Sequence, residues 1–129
     1  MALPISLQSR GDIVAVVSGG FTEIISPLLA TLKISRFKAN SLEIIEGKLT
    51  GKVNGEIVDR RAKAEFLKEL VALSGIPLSD TVAIGDGAND IDMIQSAGIG
   101  VAFCAKPALV NVADRVINTR DLREVLKVI

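Results

Sequence analysis

Apolar positions along the chain follow two periods in alternation. Residues 13–17 form a continuous run rich in β-branched side chains, the pattern of a strand buried on both faces. Ser18-Gly19-Gly20 breaks that run. Over residues 21–32, Phe21, Ile24, Ile25, Leu28, Leu29 and Leu32 then recur at helical spacing. Pro27 lies inside the stripe and predicts a kink or a shortened helix. Residues 37–58 carry short apolar pairs punctuated by Gly47, Gly51 and Gly55, which predicts a strand followed by a hairpin or an irregular excursion.

The clearest helix spans residues 62–73, with Phe66, Leu67, Leu70, Val71 and Leu73 on one side and Gly75 as its stop. Residues 81–84 read as a second buried strand, followed by Gly85-Asp86-Gly87-Ala88-Asn89-Asp90 and a helix over 91–97 that Gly98 ends. Residues 99–103 make a third strand, 107–112 a short helix and 115–117 a last strand. A closing helix over 122–129 has Asp121 as its cap. Strands alternating with helices predict an α/β domain with a mostly parallel sheet. The chain has no repeat, linker or low-complexity tract, and 129 residues carry the expectation of one domain, 1–129.

Composition narrows the function classes. Hydrophobic residues make up 49%, and 15 Lys and Arg balance 15 Asp and Glu. A disordered tail or an electrostatic nucleic-acid binder would need low hydrophobicity or a basic excess. Histidine, tyrosine and tryptophan are absent, which removes histidine acid–base chemistry, Ser-His-Asp triads and His-rich zinc sites. The single cysteine, Cys104, cannot form an internal disulfide and reads as a buried, inert thiol in a reducing compartment. No segment reaches the ~18 apolar residues of a membrane span, and residues 1–10 do not read as a signal peptide. The expectation is a soluble cytoplasmic protein with no nucleic-acid or membrane partner. The four phenylalanines, Phe21, Phe37, Phe66 and Phe103, are read as core.

Three segments carry candidate chemistry. Ligands bind beyond the carboxyl ends of strands in open parallel sheets. After the first strand, Ser18, Gly19 and Gly20 offer a hydroxyl and two open N–H groups ahead of a helix, an anion cradle suited to phosphate. The same residues also read as an ordinary helix cap. In the Gly85–Asp90 segment two carboxylates, Asp86 and Asp90, lie four residues apart around open backbone, which suits a hard cation such as Mg²⁺. A turn in which Asp86 and Asn89 cap the next helix is the alternative. Asp92 faces away from Asp90 on a helix and is read as solvated. Lys63 opens the third segment, where a cation opposes the helix dipole. It either reaches an anion or is a solvated surface lysine.

In chain order, Val17-Ser18-Gly19-Gly20-Phe21, Ala62-Lys63-Ala64-Glu65 and Ile84-Gly85-Asp86-Gly87-Ala88-Asn89-Asp90 resemble the second, third and fourth motifs of the haloacid dehalogenase superfamily. Residues 45–51 and 101–107 add to a likeness that is greatest to its phosphoserine phosphatase branch and runs over about 13–117. The resemblance implies a Rossmann-like three-layer sandwich and a Mg²⁺-dependent phosphomonoester hydrolase of serine biosynthesis acting on O-phosphoserine. It implies that Ser18 hydrogen-bonds the phosphoryl group and Lys63 neutralises it. Asp86 binds Mg²⁺ with support from Asp90, and Gly19 and Asn89 contact substrate.

The family's reaction starts from an Asp-x-Asp nucleophile motif on its first strand, followed by a cap domain. None of the eight aspartates of this chain supplies that motif at a strand end; Asp90 and Asp92, the one Asp-x-Asp pair, belong to the fourth motif. The chain therefore resembles the carboxyl-terminal part of such an enzyme: a fragment, a split-gene product or a non-catalytic descendant. The alternatives are another phosphatase of the superfamily or a phosphate- or metal-binding module acting by association; Ser18-Gly19-Gly20-Phe21 and the lack of membrane spans argue against a pump phosphorylation domain. The family's nucleophile strand lies between those matching 13–17 and 81–84. Its absence implies that these two close up directly, or that a second copy or a separate amino-terminal piece fills the gap.

Overall fold

The computed structural model describes residues 2–55 and 57–129. They divide into two compact units, Leu3–Asp59 and Arg60–Ile129.

The first unit contains α1 (Ala2–Ser9), β1 (Ala15–Phe21), α2 (Thr22–Thr31), β2 (Arg36–Ile45) and β3 (Lys48–Asn54). Its sheet has the order β1-β2-β3, parallel between β1 and β2 and antiparallel between β2 and β3. Helix α1 lies outside the elements that the apolar pattern predicts. Pro4 falls in its first turn, where a missing N–H costs nothing, and Leu3 is buried. The expected hairpin is present. Ile45 pairs with Lys48 across Glu46 and Gly47, whose φ values of 52° and 76° are those of a two-residue type I′ turn. Glycine at the second turn position takes that conformation without steric cost.

Two expectations are corrected in this unit. Strand β1 does not stop at Ser18; it runs to Phe21, and Ser18-Gly19-Gly20 lie inside it. The stretch is irregular all the same, because Val17 pairs with Lys38 and Phe21 with Asn40, which sets three β1 residues opposite one on β2. The stripe on α2 is also only partly inward. Leu29 is buried, whereas Ile24 and Leu28, four residues apart on a neighbouring face, are exposed. The helix runs through Pro27.

The second unit contains α3 (Arg60–Ser74), β4 (Val82–Gly85), α4 (Ile91–Ser96), β5 (Ile99–Phe103), α5 (Pro107–Val110) and β6 (Arg115–Ile117), with short 3₁₀ turns at Leu78–Asp80, Ala88–Asp90 and Leu122–Lys127. Its sheet is wholly parallel with the order β4-β5-β6. The central strand β5 is buried at Gly100, Val101 and Ala102, as a continuous apolar run requires. Ile94, Leu109, Ile117 and Val125 are among the other buried residues of this unit's core. Helix α3 ends where expected, with Gly75 N–H bonded to Val71 O at 3.1 Å. Leu73 departs from its expected face and is 84% exposed. All four phenylalanines are half-buried rather than enclosed. Strand β1 lies at an edge of the first unit's sheet and β4 at an edge of the second unit's sheet.

The closing segment is 3₁₀ rather than α-helical, and Asp121 caps it as expected, accepting from Arg123 N–H at 3.0 Å. The Arg123 guanidinium also grips this carboxylate at 2.7–3.1 Å and pulls its pKa from 3.8 down to about 2. A depressed carboxylate contributes stability above its ordinary range and loses it as pH falls through the folded value. Carboxyl-detected NMR is therefore expected to find Asp121 titrating near 2, and Arg123→Ala to return it towards 3.8. An unchanged titration in that variant would contradict the assignment.

Candidate functional site

The candidate residues fall into two groups, one in each unit. In the first unit, Ser18 Oγ accepts a hydrogen bond from Gly20 N–H at 2.9 Å. Ser18 is thus not the cap of α2; Phe21 occupies that position with no side-chain cap bond. Gly19 is exposed, and a Cβ there would find only Val58 O, at 3.8 Å.

In the second unit, Lys63 is buried, 6% exposed, which overturns the surface-lysine alternative. It lies one turn into α3, and its Nζ donates to Asp90 Oδ1 at 2.8 Å, with both side chains 8% exposed. The other oxygen, Asp90 Oδ2, accepts from Asp86 N–H at 3.2 Å and Gly87 N–H at 3.4 Å. One carboxylate thus balances a buried cation and holds the turn after β4. Gly85 lets it approach, since a Cβ there would meet Asp90 Oδ2 at 2.6 Å. Asp86 and Asn89 stand exposed on the same turn, and Asp86 O accepts from Lys106 N–H at 3.2 Å. Asp92 is not simply solvated: it pairs with Arg60 at 2.7 Å, a bond that raises the Arg60 pKa. Cys104 is half-buried rather than buried.

The donor set matches Mg²⁺ in chemical type, with limited holding power. Asp86 offers an exposed carboxylate at a strand end, while both Asp90 oxygens already have partners. Among the described residues, no group of three or more His, Cys, Asp and Glu could hold a metal ion. Likewise no helix among them is long and apolar enough to cross a membrane.

One contributor escaped the sequence reading. Asn40 is buried, with Nδ2 donating to Gly19 O at 2.9 Å and Oδ1 accepting from Val58 N–H at 2.7 Å. The available signal was an asparagine inside a strand, where that residue is depleted.

The second unit thus places an acidic turn at a strand end of a parallel sheet and pairs it with a buried lysine, an α/β arrangement. The family profile of haloacid dehalogenase-like hydrolase matches residues 3–95, and the chain belongs to that family. It is 51% identical over 121 residues to a phosphoserine phosphatase of Streptomyces coelicolor, covering 94% of this chain and 30% of that protein. It is 50% identical over 123 residues to the phosphoserine phosphatase of Methanocaldococcus jannaschii, covering 95% and 58%. A solved substrate-bound phosphoserine phosphatase complex superposes with a TM-score of 0.94 at 48% identity, over 99% of this chain and 61% of that one. The Rossmann-like fold is therefore shared with these proteins. The chain spans between 30% and 58% of the length of those two relatives.

Proposed function

We propose that this chain is part of a cytoplasmic, Mg²⁺-dependent phosphoserine phosphatase of serine biosynthesis, hydrolysing O-phosphoserine to serine and phosphate. The observation that carries the reading is the buried Lys63–Asp90 pair beside exposed Asp86 at the end of β4. Relatives about half identical to the chain bear the phosphoserine phosphatase name.

Phosphoryl transfer needs positioning and positive charge around the equatorial oxygens. Lys63 has three ammonium donors and gives one to Asp90, leaving the others for a phosphoryl oxygen. Ser18 uses an acceptor lone pair for Gly20 N–H, which leaves its hydroxyl proton to donate to a phosphoryl oxygen. Gly19 and Asn89 would contact substrate. Asp86 would hold the metal, with Asp90 supporting its loop; when bound, Mg²⁺ supplies further positive charge at the phosphoryl group. The attacking carboxylate of an aspartyl-phosphate mechanism has to come from outside these 129 residues. The two units belong, on this reading, to one incomplete core domain, completed by an amino-terminal segment or a second copy.

A second reading, a non-catalytic phosphate- or metal-binding module, is favoured by the absence of any Asp-x-Asp pair at the end of β1 or β4. Calorimetry with Mg²⁺ and orthophosphate tests the site common to both. One or two carboxylates without phosphate hold Mg²⁺ poorly, so the expected result is weak Mg²⁺ binding that orthophosphate strengthens and Asp86→Ala abolishes. Micromolar affinity for Mg²⁺ alone, or binding indifferent to Asp86, would overturn the assignment.

A further inference from the structure

The bow in β1 creates a need that β2's backbone does not meet. Residues 18–20 have no pairing partner there, and two consecutive glycines leave the stretch free to swing. The buried side chain of Asn40 takes the place of the missing ladder: Nδ2 donates to Gly19 O at 2.9 Å, and Oδ1 is fixed by Val58 N–H at 2.7 Å. Asn40 O also accepts from Thr22 Oγ1 at 3.2 Å, tying down the first residue of α2.

The Gly19 carbonyl and the Gly20 N–H belong to one planar, trans peptide unit and point in opposite directions. Holding the carbonyl on Asn40 aims the N–H away from it, and that N–H donates to Ser18 Oγ at 2.9 Å. Occupying a lone pair of the hydroxyl leaves the Ser18 proton as its outward donor. We infer that Asn40 is a positioning residue for the Ser18 hydroxyl as an anion donor, acting on it through the Gly19–Gly20 peptide plane, whose Gly20 N–H is spent on Ser18 Oγ. The ligand in this inference, a phosphoryl oxygen, rests on the function proposed above; the coupling of Asn40 to Ser18 does not.

The test uses the full chain and NMR. Asn40→Asp keeps an acceptor for Val58 N–H and removes the donor to Gly19 O, whereas Asn40→Ala removes both. Without ligand, Asn40→Asp is expected to shift the Gly20 amide and speed its hydrogen exchange about tenfold, the equivalent of one lost hydrogen bond. The Leu42 amide, held instead by Glu23 Oε1 at 3.0 Å, should not change. Titration with orthophosphate, read on the Ser18 and Gly19 amides, is expected to weaken about tenfold as well. A purely structural role would raise exchange evenly along β1 and β2 and leave the phosphate affinity of the folded fraction alone; that outcome overturns the inference, as does an unchanged Gly20. If the unaltered chain does not respond to orthophosphate, the functional reading fails, while Gly20 exchange still decides the role of Asn40. Should both Asn40 variants fail to fold, Ser18→Ala probes the coupling from its other end. The Asn40 side-chain amide signals are then expected to move, and unmoved signals would reject the coupling.

Discussion

Lys63→Met is expected to destabilise the chain by about 3–5 kcal/mol, the cost of leaving one member of a buried ion pair without its partner. The side chains of Lys63 and Asp90 are each 8% exposed, so water cannot take over from the lost ammonium. For a domain of this size the loss corresponds to a fall in Tm of roughly 10–20 °C. Lys63→Met with Asp90→Leu is expected to recover only part of it. Removing both charges eliminates the desolvation penalty, but Asp90 Oδ2 also holds the Asp86 and Gly87 N–H groups, and that loop would loosen. Urea unfolding of the two variants separates these contributions. Equal stability of Lys63→Met and the unaltered chain would show that the pair is not buried in solution.

The second large effect concerns turnover. The 129-residue chain alone is expected to release no phosphate from O-phosphoserine above background, on the order of 10⁴–10⁶-fold below an intact enzyme, as when a nucleophile is removed. The reason is covalent rather than conformational: the aspartates near the candidate site are engaged in other work. Asp90 neutralises Lys63, Asp92 pairs with Arg60, and Asp86 is the proposed metal ligand. Phosphate release by pure chain that disappears in Asp86→Ala would prove this wrong.

Much of the second unit was legible because its period is clean. The apolar run at 99–103 coincides with β5 and the segment 115–117 with β6, both short and bounded by turn residues. Lys63 could be read in two ways because the choice depended on Asp90, 27 positions away, and helical spacing says nothing about such a partner. The partner of Asp92 is hidden from local spacing for the same reason, since Arg60 lies on α3 and Asp92 on α4. In the first unit, the sequence of Ser18-Gly19-Gly20 reads as a strand end, whereas the three residues form a bulge inside β1. A bulge and a break share the same residues, and only the return of pairing at Phe21 distinguishes them. Asn40 went unnoticed because its two partners, Gly19 and Val58, are brought to it by tertiary structure.

The order of strands in the second sheet bears on the sequence of folding events. Each strand neighbours the next in the chain: Val82 pairs with Ile99 and Val101 with Arg115, closures of modest length with little entropic cost. The Lys63–Asp90 contact spans a longer separation and gains little until α3 has excluded water from it. We predict that the ion pair sets after the sheet, because its attraction is weak until water is excluded from it. The energetic cost of Lys63→Met would then appear as faster unfolding with the refolding rate almost unchanged, a φ-value near zero at a residue that dominates the native state. The pair would act as a kinetic latch on a unit whose framework assembles without it.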